Sequence, residues 1–219
     1  MSEENAVVTL DSFSLASLGA HMLYDEINEV SAYRVNDFIL KASMVMDEDA
    51  ILTLFINTPG GSVIDGWAII DTMELSRIPI RTVGVGSIIS MGVPIFIAGT
   101  KGERIMTPNA NVMAHTFTSY LYGKSHELIA ARKFHDRLED QFINHFQRHT
   151  TMTKKQIKET LIGTTDSWLD PKDCLKFGIC DVIRSPWDIE EDNEKAVKKQ
   201  KKNKKKKAKS TGSSQDAAD

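Results

Sequence analysis

Two cysteines in 219 residues are too few for a disulfide framework, and Cys174 and Cys180 lack the CxxC spacing of a redox or zinc motif. Both read as buried, reduced thiols, which suits a cytosolic protein, and no disulfide is expected. No apolar run approaches the roughly 18 residues that a membrane helix needs, and no basic-plus-apolar leader opens the chain. The expected compartment is therefore the cytosol, with no membrane contact. No internal repeat is apparent. His145 and His149 are four apart on a helical pattern, yet the intervening Phe146-Gln147-Arg148 holds no HExxH glutamate and no third ligand is evident. Neither metal nor cofactor is expected.

What the chain does contain is a body and a tail. A hydrophobic share of 41% in 219 residues suffices for one sizeable core. The net charge of −3 conceals an asymmetry, because ten lysines fall within Lys195–Lys209 while residues 1–187 hold 17 basic and 23 acidic side chains, a sum of −6. A segment so charged buries too little apolar surface to offset its ordering entropy, so a disordered tail is expected over 188–219. The tail is either a solvated appendage or an arm that contacts a polyanion, although no aromatic residues interleave its lysines to stack on bases. Residues 1–19 form a separate N-terminal segment and 20–187 the domain.

Within the body, helical and extended patterns alternate. Apolar spacing predicts helices over 26–46, 62–75, 90–98 and 124–149, with strands at 51–56, 80–85, 105–106 and 111–114. Thr153-Lys154-Lys155-Gln156 reads as a capping box opening another helix, and Asp170-Pro171 as the N-cap and first turn of the last. Strands separated by helices imply an α/β fold, its mostly parallel sheet covered on its faces by helices. The turn is expected over 86–89, with Ser90 opening a buried helix, where free N–H groups and the dipole favour developing negative charge.

Three residue types capable of acyl-transfer chemistry occur in order. Ser90 lies in Gly86-Ser87-Ile88-Ile89-Ser90-Met91-Gly92, His115 closes the run Asn111-Val112-Met113-Ala114, and Asp166 lies in Thr164-Thr165-Asp166-Ser167-Trp168. A serine hydroxyl is a weak nucleophile until a base takes its proton and a carboxylate orients that base. Each has a plainer reading: Ser87 competes with Ser90, a lone histidine after a strand is often structural, and Asp170 and Asp173 compete with Asp166 but are explained by helix capping. Upstream, the apolar run Ile51–Ile56 ends in Asn57-Thr58-Pro59-Gly60-Gly61-Ser62, a turn in which glycine permits positive φ and close backbone approach.

Taken together, Phe55-Ile56-Asn57-Thr58-Pro59-Gly60-Gly61, Ile70-Asp71-Thr72-Met73, Ser90-Met91-Gly92, Ala98-Gly99-Thr100-Lys101-Gly102, Met113-Ala114-His115 and Phe177-Gly178-Ile179-Cys180-Asp181 resemble the Clp protease proteolytic subunit. The resemblance covers about residues 20–184. It implies a Clp/crotonase-like fold with a protruding long helix, and a serine endopeptidase cleaving unfolded polypeptides inside an oligomeric chamber. It also implies Ser90, His115 and Asp166 as the triad, the Gly61 and Met91 amides as oxyanion donors, and substrate contacts at Ser62, Val63, Ile64, Thr118, Ser119 and Tyr120. Stacked heptameric rings and an AAA+ unfoldase partner are implied by the same likeness. The chain departs from the pattern in three places. His115 to Asp166 spans 51 positions, about two more than usual, with the extra residues near Leu161–Thr165. Thr116–Gly123 replaces the Gln-Pro that usually follows the histidine. Ser12–Ala20 replaces the segment that forms axial loops in the family. Two other readings are a catalytically weak structural subunit of a mixed ring and an enoyl-CoA hydratase-like relative; the latter would need paired acidic catalysts near the oxyanion glycines.

Overall fold

A computed structural model describes residues 14–185 except 48 and 119–121. The expectations for Ser119, Tyr120, residues 1–13 and the lysine-rich segment 188–219 lie outside the described residues. The chain divides into two units after Ile183, and the sheet, the helices and the candidate site all belong to the first.

A seven-stranded sheet organises this unit. Its path runs β1 (Ala20–Leu23), β2 (Leu52–Thr58), β3 (Ile80–Ile89), β4 (Arg104–Met106) and β7 (Val182–Ile183), all parallel, while β5 (Asn111–Ala114) joins β3 and β6 (Ser167–Leu169) joins β5. The β5–β6 pair is antiparallel. Alternate residues Leu52, Leu54, Ile56 and Thr58 of β2 are buried and the intervening ones half-buried, as befits a strand covered on both faces. The mostly parallel α/β sheet agrees with the expected fold class. Strands β1, β6 and β7, of two to four residues, are absent from the sequence reading.

The helices are α1 (Glu29–Val45), α2 (Val63–Leu75), α3 (Gly92–Ile97), α4 (Ser125–His149), α5 (Lys154–Thr160) and α6 (Pro171–Phe177). Their starts follow local chemistry. Asn28 Oδ1 accepts from the Val30 and Ser31 amides, Ser62 Oγ from Asp65, Thr153 Oγ1 from Gln156 and Asp170 Oδ1 from Asp173. Every residue of α3 is buried, making it the central helix of the core. In α4 the buried residues all lie from Leu138 onward, and the first half leaves Leu128, Ile129 and Phe134 exposed. This is the protruding helix that was expected.

One expectation is corrected. Residues 86–89 are not a turn but the end of β3, and the following helix opens at Gly92 rather than Ser90. Beyond Gly84 the register with β2 shifts, Ile56 facing Gly84 and Thr58 facing Ile88, and Asn57 Oδ1 accepts from the Ser87 amide at 3.0 Å across the irregularity. Ser87–Ile89 then pair with Asn111–Met113 of β5, which supplies the hydrogen bonds that keep the strand extended. Only a long-range partner produces this outcome, so local turn signals misread it.

Near the sheet's far edge, Arg104 and Asp181 form a bidentate ion pair at 2.8 and 2.6 Å, with side chains 3% and 16% exposed. Arg104 also donates to the His149 carbonyl at 2.5 Å, and Asp181 accepts from the Gly102 and Arg104 amides. Burial pushes the Asp181 carboxyl upward, but the hydrogen bonds and charge of Arg104 together outweigh it and hold the group below its ordinary value.

Candidate active site

Ser90 occupies the two-residue junction between β3 and α3. Its φ of 54° is the only positive value for a non-glycine among the described residues. A side chain held in this sparsely allowed region costs energy that the surroundings must impose, and such strain clusters at functional positions. Here the Ser90 amide is tied to the Met113 carbonyl of β5 at 2.8 Å and its carbonyl accepts from Val93 at 3.0 Å. The junction lifts the hydroxyl out of the strand at the head of a buried helix, in the manner of a nucleophile elbow. Pro94 falls in the first turn of α3, where its missing N–H removes no helix bond.

The strand that pairs with the end of β3 leads directly into His115. Its Nε2 lies 2.8 Å from Ser90 Oγ. Asp166 arrives from β6, because the antiparallel register pairs Ala114 with Ser167 and so brings the next residue of one strand beside the preceding residue of the other. His115 Nδ1 is 3.6 Å from Asp166 Oδ1, with side chains 30% and 62% exposed. The contact is longer than a hydrogen bond. The Thr116 amide reaches the Gly163 carbonyl at 3.3 Å, so the extra residues before Asp166 pack against the unusual segment after His115. Asp170 and Asp173 belong to the start of α6, the former as its N-cap.

The Gly60-Gly61 turn lies against the serine. A Cβ added to Gly60, whose φ is 87°, would fall 2.7 Å from Ser90 Cβ and 3.1 Å from the Met91 nitrogen. One added to Gly61, with φ 145°, would collide with the Ile27 carbonyl oxygen. Only glycine fits this double constraint. Ile27 donates to the Gly60 carbonyl and accepts from Ser62, fixing the turn. Among the described residues the Gly61 and Met91 amides donate to no protein group.

An apolar pocket opens beside Ser90 and His115, with walls that include Val63, Phe117, Phe142, Phe146, Leu161 and Ile162. Of the residues expected to touch substrate, Val63 lines it, Ser62 caps α2, and Ile64 and Thr118 are exposed to solvent. Phe117 lies in the stretch Thr116–Gly123 that the resemblance sets beside the substrate cleft, whereas Phe142 and Phe146 escaped the sequence reading. Phe142 and Phe146 are one turn apart on α4, a spacing that marks a buried face without saying what it faces, and stacking of Phe117 on Phe142 with centroids 5.8 Å apart joins them.

Behind the pocket, a second polar group collects at the end of α2 and α4. Glu74, His145 and His149 bring one potential ligand atom each within 4.8 Å of one another. The two histidines were visible at their helical spacing; Glu74, 71 positions upstream of His145, was not. Burial holds the His145 imidazole far below its ordinary value, at about 3.

Comparison with known proteins identifies the family of the chain. The family model for Clp protease matches residues 8–186. The chain is 33% identical over 167 residues to the ATP-dependent Clp protease proteolytic subunit 1 of Leifsonia xyli subsp. xyli, covering 72% of this chain and 80% of that one. It is also 31% identical to the ATP-dependent Clp protease proteolytic subunit of Deinococcus radiodurans, over 60% of this chain and 64% of that protein. The corresponding values for subunit 2 of Nocardia farcinica are 37%, 61% and 65%. For the latter two the match spans less than two thirds of the relative's length. The chain belongs to the Clp protease family, which sets the enoyl-CoA hydratase reading aside.

Proposed function

We propose that this chain is a serine endopeptidase of the Clp type that cleaves unfolded polypeptides. The observation that carries this reading is the 2.8 Å approach of His115 Nε2 to the hydroxyl of Ser90, the residue held in a left-handed turn. His115 takes the Ser90 proton as Oγ attacks the scissile carbonyl, and later delivers it to the leaving amine. Asp166 orients the imidazole through Nδ1 and stabilises the imidazolium. The Gly61 and Met91 amides receive the oxyanion, a role supported by their lack of protein partners among the described residues and by the packing of the Gly60-Gly61 turn against Ser90. Water then releases the acyl-enzyme. The pocket of Val63, Phe117, Phe142, Phe146 and Leu161 favours an apolar side chain next to the cleaved bond.

The same reading includes closed rings of this chain, two heptamers stacked through α4, whose first half leaves an apolar face uncovered. It also includes an AAA+ unfoldase that delivers substrate. A cytosolic location fits the buried free thiols of Cys174 and Cys180. Among the described residues, no helix is long and apolar enough to cross a membrane.

The test is labelling by a serine-reactive fluorophosphonate followed by peptide mapping, with Ser90→Ala beside the native chain. The expected result is one labelled peptide containing Ser90, and loss of both label and peptide hydrolysis in the variant, by several orders of magnitude. Retained hydrolysis by purified, folded Ser90→Ala would overturn the proposal, and an unlabelled native chain would favour a structural ring subunit.

A further inference from the structure

We propose that Glu74, His145 and His149 form a binding site for a divalent zinc-like cation that ties α2 to α4 behind the candidate nucleophile. Such a site is separate from the peptidase machinery and would stand without it.

The surroundings of His145 fix its tautomer. Its Nε2 lies 2.9 Å from the Pro94 carbonyl oxygen, which only accepts, so Nε2 carries the proton and Nδ1 presents a lone pair. The side chain is 0% exposed, and Nδ1 is buried without a hydrogen-bond partner. An orphaned buried acceptor is uncommon and calls for a ligand or ion. What Nδ1 faces is another acceptor: Glu74 Oε1 is 4.0 Å away. Glu74 Oε1 is in turn 3.5 Å from His149 Nε2. Two acceptor atoms thus converge with a second imidazole on a space containing no described donor that satisfies Nδ1.

The donor set fits a particular cation. Two imidazole nitrogens and one carboxylate oxygen, with a fourth position left to water, form the common His2Glu zinc set, whereas Mg²⁺ and Ca²⁺ prefer oxygen. Tetrahedral zinc with bonds of about 2.0–2.1 Å separates its ligand atoms by about 3.3 Å. The separations of Glu74 Oε1 from the two imidazoles, 3.5 and 4.0 Å, need only a slight closure of side chains, and the two imidazole nitrogens, within 4.8 Å of each other, close further as the rings turn toward the ion. Donation from His145 to the Pro94 carbonyl is the kind of outer contact that fixes a ligating imidazole. Glu74 and His149 are 35% and 22% exposed, which leaves an entry path from solvent. Positive charge lies nearby: Arg148 Nη2 is 3.5 Å from Glu74 Oε1, but its side chain is 60% exposed and free to turn toward water. Arg104 already donates to Asp181 and to the His149 carbonyl. An ion here would join α2, which starts at the Gly61 turn, to α4, and through His145 and Pro94 to α3, which starts beside Ser90.

The experiment is equilibrium dialysis of the chelator-stripped full chain against Zn²⁺, with Mg²⁺ as comparison, alongside Glu74→Gln, His149→Gln and His115→Gln. Far-UV circular dichroism checks the fold of each. We expect one saturable Zn²⁺ per chain in native protein and in His115→Gln, none of comparable affinity for Mg²⁺, and affinity at least about tenfold weaker in Glu74→Gln and His149→Gln, since even outer contacts of a metal site are worth 10–100-fold. Should one of those two variants fail to fold, the other decides. No saturable binding by native protein, or binding that survives both Glu74→Gln and His149→Gln, or binding lost only in His115→Gln, overturns the proposal.

Discussion

Asp166→Asn separates an aspartate that assists His115 from one that merely neighbours it. The magnitude follows from the geometry. At 3.6 Å, two unit charges interact by about 1.2 kcal/mol in bulk water and about 4.6 kcal/mol at an effective dielectric of 20. The Asp166 side chain is 62% exposed, which places the stabilisation of the imidazolium in the lower part of that range, about 1–3 kcal/mol. Each 1.36 kcal/mol is tenfold in rate, so kcat is expected to fall by about 5- to 150-fold. That is well short of the roughly 10⁴ seen where a triad aspartate is buried. Initial rates on a fluorogenic peptide measure it, with Asp170→Asn as control, because asparagine caps a helix as well as aspartate does and Asp170 Oδ1 accepts from the Asp173 amide at 2.8 Å. A fall of less than twofold, or an equal fall in Asp170→Asn, refutes Asp166 as the partner; a fall of 10⁴ refutes the weight given to exposure.

Asp181→Asn leaves the buried Arg104 guanidinium without its counter-charge, and removing one partner of a buried pair costs about 3–5 kcal/mol; urea unfolding measures it, and a loss under about 1 kcal/mol would refute the reading. Because the Asp181 carboxyl is held below its ordinary value in the folded protein, its contribution is present above the unfolded value near 3.9 and is lost as pH falls through the folded one. The native chain is therefore expected to lose stability below about pH 4 more steeply than Asp181→Asn, read by acid titration of circular dichroism. Light scattering is expected to give a mass many times 24.5 kDa, and Ile129→Lys together with Phe134→Lys, on the uncovered half of α4, to reduce it. A monomer that still cleaves peptides would defeat the chamber while leaving the Ser90 assignment standing.

Short-range signals are legible along this chain. Helix N-caps at Thr153 and Asp170 follow from hydroxyl and carboxylate groups that serve amides three residues on, so sequence alone places them. The long helix α4 emerges from apolar periodicity, β5 from the apolar run Val112-Met113-Ala114, and the order of Ser90, His115 and Asp166 from motif and spacing. Strands β1, β6 and β7, of two to four residues, escape: runs this short show no period and become strands only when a neighbour pairs with them, and the equally short β4 and β5 are legible only from their apolar composition.

What the tertiary structure decides is everything that depends on a distant partner. Residues 86–89 stay extended because β5 pairs with them, and that pairing in turn holds Ser90 at φ 54° beside His115. Asp166 reaches His115 through the register of β6 on β5, whatever the number of residues inserted between them. Phe117, Phe142 and Phe146 wall one pocket only once α4 folds over α3. Glu74 meets His145 and His149 across 71 and 75 positions of chain for the same reason: spacing along a helix fixes which side chains share a face, while packing between helices fixes what that face meets.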